Sequence, residues 1–172
     1  MFHHISIAAE NPFRVSKVIA ELTGGQFFEF PVAPGAYMVT FKDRYGSGIE
    51  VLPNNTVWMA GETEAEVQPK ELPRFSATHA ALSVSVSRET IEAIGAREGW
   101  LVRWCDRGRF QVIELWIENQ FMLELLTADM TADYIQFMQP ESYSAFLAEV
   151  AATTTPEPSL QKWTTSSELA HT

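Results

Sequence analysis

Cysteine is almost absent. Cys105 is the only one in 172 residues, so no disulfide can close within the chain and its stability has to come from packing. Basic residues are also scarce, with 12 Lys and Arg against 22 Asp and Glu, a net charge of −10 and a pI near 4.8. Such a field opposes sustained contact with phosphate backbones, and nucleic acid is excluded as a partner on that ground. Apolar runs stay well short of the roughly 20 residues that span a bilayer. The N-terminus has no basic and apolar leader either, so a cytoplasmic chain without a membrane partner is expected. What the sequence does have is a 46% hydrophobic fraction, ample for one domain of ordinary size or two small joined halves.

One run deserves to be read first: Phe121-Met122-Leu123-Glu124-Leu125-Leu126 places a carboxylate inside what is otherwise a buried strand pattern. An ionised carboxylate taken from water costs several kcal/mol, so Glu124 has to be paired, protonated or bound to a cation. Gly48-Ile49-Glu50-Val51-Leu52 repeats the construction. Each Glu follows a His on a strand-like segment, His4 lying 46 positions before Glu50 and His79 lying 45 before Glu124.

In chain order, residues 2–7 alternate, with His4 and Ser6 on one face and His3, Ile5 and Ile7 on the other. Asn11-Pro12 starts a helix carrying Val15, Val18, Ile19 and Leu22, which Gly24-Gly25 stops. Strands are expected over 26–30, 36–41 and 47–52, separated by Pro- and Gly-rich turns. Residues 1–53 thus read as βαβββ. Residues 54–77 lack a clear period and read as a crossover linker in which Trp58-Met59 is an apolar handle, either covering a pocket or packing on the core. Residues 78–127 repeat the order: a strand over 78–86, a helix capped by Ser87 with Ile91 and Ile94, and strands over 100–105, 110–117 and 120–126. Beyond them, a C-terminal extension over 128–152 contains a short helix opened by Pro140, with Tyr143, Phe146, Leu147 and Val150 as packing residues. Residues 153–172 read as a mobile tail.

Two βαβββ halves, each opening with an apolar-flanked His and closing with an apolar-flanked Glu, resemble the vicinal oxygen chelate superfamily of glyoxalase, methylmalonyl-CoA epimerase, extradiol dioxygenases and bleomycin-resistance proteins. The resemblance covers roughly residues 1–127. It implies an α+β fold in which two βαβββ modules form one cupped mixed β-sheet, a homodimer, and a divalent metal held from the first and last strands of each module. Carried over residue by residue, the metal positions fall on His4, Glu50, His79 and Glu124. All four are of ligand type, as in glyoxalase-like members. The first helix, by contrast, carries Val15-Ser16-Lys17-Val18-Ile19 where such members commonly have a Phe-Tyr pair.

Two imidazoles and two carboxylates suit zinc, nickel, cobalt, manganese or iron(II), with coordination positions left for a small substrate. Such a metal chelates two neighbouring oxygens and stabilises an enediolate, and by resemblance Glu124 or Glu50 is the catalytic base. His3 is a competing ligand if the register slips by one residue. Arg103, Arg107 and Arg109 surround one turn and either clamp an anionic substrate group or form a solvated turn. Glu114 and Trp116 share a strand face that can line the cup, and Cys105 reads as inert packing. Three functions follow: a metal-dependent lyase, isomerase or epimerase; an iron(II) dioxygenase using His4, His79 and Glu124; and a non-catalytic binder of a small apolar or aromatic ligand.

Overall fold

The computed structural model describes residues 3–31, 33–63, 65–70 and 75–153. The chain divides into two compact units, Met1–Phe137 and Met138–Thr172. In the first, strand β1 (His4–Ala9) buries Ile7 and Ala9 in the core, while His4 is exposed on the opposite face. Helix α1 (Pro12–Thr23) begins where the Asn11 side chain accepts a hydrogen bond from the Arg14 amide and Pro12 supplies a preset φ. It ends at Gly24, whose φ of 67° closes the helix in the left-handed region. Its stripe of Val15, Val18, Ile19 and Leu22 is buried with Ile7, Val39, Ile49 and Val51. Each such side chain contributes roughly 1.5–3 kcal/mol by leaving water.

Strands β2 (Gln26–Glu29), β3 (Tyr37–Thr40) and β4 (Gly48–Pro53) complete a mixed sheet in the order β1-β4-β3-β2, with β1 parallel to β4. The stretch expected to be an aperiodic crossover contains a hairpin, β5 (Thr56–Ala60) with β6 (Ala65–Pro69). Its alternation is hard to read because both faces are largely wet; Val67 is the side chain that packs, against Ala33, Ala36 and Leu52.

The second module repeats the first: β7 (Ala80–Ser83), α2 (Arg88–Glu98), β8 (Leu101–Asp106), β9 (Gln111–Ile117) and β10 (Phe121–Leu126), in the order β7-β10-β9-β8. The two mixed sheets are separate, with β1 and β7 each at an outer edge. A helix not anticipated from the sequence, α3 (Ala128–Phe137), follows β10; it buries Met130 and sets Tyr134 edge-on to Phe110 at 5.2 Å. The second unit holds α4 (Pro140–Thr153), where a helix was expected, and none of its residues is buried. The expected mobile tail, apart from Thr153, lies outside the described residues.

Charged side chains join the two modules. Arg97 makes a bidentate pair with Glu21 of α1 at 3.0 and 2.8 Å, and also donates to Glu98 at 2.7 Å. Glu98 accepts from Arg14 in turn, and the Arg14 guanidinium lies over Trp100 at 5.6 Å. Glu118, from the turn between β9 and β10, accepts from the amides of Glu10 and Asn11 and so places a carboxylate at the N-terminus of α1.

Close approach of α2 to β8 depends on Gly95, where an added Cβ would lie 2.2 Å from Val102 Cγ2. We expect Gly95→Ala to destabilise the protein by roughly 1–3 kcal/mol through overpacking, although alanine is intrinsically the better helix former by about 1 kcal/mol. Thermal unfolding checks this; a midpoint that stays put or rises contradicts the packing described here.

Candidate functional site

The face of each sheet turned away from the helices carries the side chains singled out by the sequence. In module 1, Ser6 on β1 is the register partner of Glu50 on β4, and His4 stands two residues before Ser6. In module 2, Ala81 on β7 is the register partner of Glu124 on β10, and His79 stands two residues before Ala81. Parallel pairing of first and last strands therefore gives both halves the same offset. His79, however, precedes β7 rather than lying within it, and is exposed.

Glu50 is 7% exposed. Ser6 Oγ donates to its Oε2, and His4 Nε2 lies 3.6 Å from its Oε1, a separation that two donors on one dication span. Glu124 meets a different environment. One guanidinium nitrogen, Arg107 Nη2, donates to Glu124 Oε1 at 2.9 Å and to Glu114 Oε1 at 2.8 Å. Glu114, 8% exposed, is the register partner of Glu124 on β9, and its Oε2 accepts from Trp116 Nε1 at 3.1 Å. Burial alone would raise the Glu114 pKa, but the bonds from Trp116 and Arg107 outweigh it and hold this carboxyl below its ordinary value. The bond to Glu124 raises the Arg107 pKa.

A cleft of about 550 Å³ opens within this unit, lined by residues of both modules that include His3, His4, Ile5, Ile49, His79 and Leu123. His4 thus faces both Glu50 and a cavity that His79 shares. The His79 Nδ1 lies 3.3 Å from the Ala77 carbonyl, to which it donates in the Nδ1-protonated tautomer. His3 lines the same cleft, its Nδ1 lying 2.8 Å from the Tyr45 carbonyl.

As a donor set for a divalent ion, the four residues have the right chemistry. The structure assembles one imidazole–carboxylate pair, His4 with Glu50, and brings His79 to the same cleft, whereas Glu124 is taken by Arg107. Among the described residues no group of three or more His, Cys, Asp or Glu side chains is gathered for a metal.

Of the remaining residues, Arg107 points at carboxylates of its own chain. Arg103 is exposed on β8 and is the register partner of Glu114, and Arg109 is exposed in the turn that follows β8. Trp116 is half-buried with the Phe75 ring edge-on at 6.5 Å. Trp58 lies on the β5–β6 hairpin, 38% exposed, and lines a separate recess with Met59 and Glu62. Cys105 is half-buried, and its thiol pKa is raised by burial and by the neighbouring Glu114 charge. The joint engagement of Arg107 by Glu114 and Glu124 escaped sequence reasoning, although a signal existed: the two Glu lie five residues either side of Asn119, at the centre of the turn between β9 and β10.

The chain is similar in structure to the fosfomycin resistance protein FosX from Mesorhizobium loti, at 11% identity over 73% of this chain and 89% of that one, with a TM-score of 0.47. It is also similar to FosX from Listeria monocytogenes complexed with Mn(II) and sulfate (9%, 73% and 86%, 0.47) and to lactoylglutathione lyase from Agrobacterium tumefaciens (10%, 74% and 93%, 0.48). These neighbours are vicinal oxygen chelate proteins. The likeness is one of fold. No protein-family model and no curated protein matches the chain. Among the described residues no helix is long and apolar enough to cross a membrane.

The depressed pKa of Glu114 has a measurable sign. A carboxyl held below its ordinary value of 4.5 stabilises the fold fully above that pH, and the contribution is lost as pH falls through the lower, folded value. Fluorescence of Trp116, isolated as the difference between wild type and Trp116→Phe, is expected to titrate with a midpoint below 4.5. A midpoint at or above 4.5 contradicts the bonding described for Glu114.

Proposed function

We propose that this chain is a divalent-metal-dependent lyase, isomerase or epimerase of the glyoxalase-like type, acting on a small substrate with vicinal oxygens. The observation that supports it most is the His4–Glu50 pair, set on the first and last strands of module 1 beside a cleft that His79 also lines. Zinc, nickel, cobalt, manganese or iron(II) would be held by His4, Glu50, His79 and Glu124, and when bound would supply Lewis-acid polarisation of two neighbouring substrate oxygens.

The chain's own part is to bind, orient and move a proton. The apolar lining of the cleft, Ile5, Ile49 and Leu123 among it, excludes water from the body of a small substrate. Glu50 is the carboxylate we assign to proton transfer at carbon, because Ser6 fixes its Oε2 while its Oε1 faces His4. Glu124, the other candidate base, has its Oε1 engaged by Arg107. The homodimer and cytoplasmic location implied by the resemblance belong to this same reading.

One observation favours a second reading, a non-catalytic binder of a small apolar or aromatic ligand: no three metal-ligating side chains converge among the described residues. Such a protein binds its ligand equally well with and without metal. Elemental analysis of protein purified without a metal-affinity tag separates the two, since stoichiometric metal leaves only the first.

The Glu50→Gln variant tests the site itself. Gln keeps the shape and a carbonyl oxygen but removes the charge beside the dication. In metal-free protein the change relieves a costly desolvation, so the thermal midpoint should hold or rise. With excess nickel or zinc, the stabilisation seen in wild type should be largely lost, with affinity down by at least about tenfold. A variant that gains as much from metal as wild type overturns the ligand assignment.

A further inference from the structure

The cleft that His4 and His79 share has a charge as well as a shape. Ile5, Ile49, Leu82 and Leu123 make its walls largely apolar, and Phe41 and Tyr134 add aromatic surface. At about 550 Å³ it lies in the range that takes a single small molecule. Among the described residues that line it none is Lys or Arg, and Asp43 is the one carboxylate. The turn holds that carboxylate in place: Asp43 Oδ1 accepts from Tyr45 N at 2.9 Å and from Ser47 N at 3.2 Å. Hydrogen bonds from Ser47, and then from the neighbouring amides, keep the Asp43 carboxyl below its ordinary value, so it stays ionised at neutral pH. Among the described residues Asp43 belongs to no ion pair. Arg44, the next residue, is laid over the Tyr45 ring at 4.7 Å and donates to the Tyr45 hydroxyl. Two of the cleft's imidazoles already stand beside acceptors, His3 Nδ1 at 2.8 Å from the Tyr45 carbonyl and His4 Nε2 at 3.6 Å from Glu50 Oε1. A neutral imidazole that gives its proton to such an oxygen offers its other nitrogen as an acceptor.

We infer that the cleft takes a small molecule with an apolar or aromatic body and a protonated amine at one end, the amine set against Asp43, and that it turns away carboxylates and phosphates. This rests on the reading given above that a small molecule seats its body in this cleft, and it names the charge that molecule carries. An ammonium brings only donors, which suits a carboxylate and acceptor nitrogens. A carboxylate or phosphate brings only acceptors and a second negative charge, here without a Lys or Arg among the described lining residues to receive it. The net charge of −10 adds a long-range field of the same sign, drawing cations toward the protein and repelling anions.

Three probes with one body test it: cinnamylamine, cinnamyl alcohol and cinnamate, titrated at pH 8, where free imidazole is neutral. Methyl NMR shifts of Ile5, Ile49, Leu82 and Leu123 report occupation of the cleft. In wild type the amine is expected to bind at least about threefold more tightly than the alcohol, and cinnamate to bind weakest. Asp43→Asn keeps an Oδ1 for both turn bonds and removes the charge, so the advantage of amine over alcohol should disappear. The wild-type ranking carries the test alone if that variant does not fold. An amine that binds no more tightly than the alcohol, or a cinnamate that matches the amine, overturns the proposal while leaving the cleft as the seat of a small molecule. An amine advantage that survives Asp43→Asn also overturns it, by taking the ammonium away from Asp43. If none of the three probes moves these methyl signals, the proposal fails together with the reading of the cleft on which it rests. Metal content is measured separately, so the metal-dependent reading stands or falls apart from these outcomes.

Discussion

A carboxylate set in the middle of a β-strand has to be given a hydrogen-bonding or positive partner, and in this protein the constraint acts three times, at Glu50, Glu114 and Glu124. Much of the sheet face turned away from the helices follows from how it is met. At Glu50 the partners are a hydroxyl and an imidazole, Ser6 and His4, so the charge is solvated but carries no permanent counter-ion. At Glu114 and Glu124 one guanidinium serves both. A permanently charged Arg partner makes module 2 self-sufficient as it stands. Module 1 is left with a carboxylate whose ionic contact, among the described residues, is a histidine.

This difference gives the repeat a direction. The strand order and the register offset between His and Glu are common to both modules, and that is what places four ligand-type residues at equivalent positions. The electrostatics are not common to both. In module 1 the carboxylate stands by an imidazole that lines the cleft, and in module 2 it is occupied by a guanidinium. Held together by the Glu21–Arg97–Glu98–Arg14 network and by the carboxylate of Glu118 at the start of α1, the modules keep His4 and His79 on one cleft.

Much of this was legible in the sequence because the signals were local. The Asn11-Pro12 start, the Ser87 cap and the alternation about Glu50 and Glu124 each rest on a few neighbouring residues, and the elements lie within a few positions of where those signals put them. The β5–β6 hairpin did not show, because a ribbon wet on both faces has no apolar period to read. Helix α3 was missed because its buried contact is little more than Met130, with Tyr134 partly covered. The engagement of Arg107 could not be reached from spacing alone, since it depends on a long side chain folding back from a turn across two strands. His79 shows the limit of pattern reading most plainly: alternation placed it within a strand, yet the strand begins one residue later.

The central claim is that His4 and His79 serve one metal ion although they belong to different modules. Nitrogen-15 chemical shifts of the four imidazoles, at His3, His4, His79 and His171, during titration with Zn(II) test it directly. The account predicts that the Nε2 resonances of His4 and His79 move together and saturate at one zinc per chain, while those of His3 and His171 stay in place. If the two move at different zinc concentrations, if His3 moves in place of either, or if none moves, the claim of a shared metal site is contradicted.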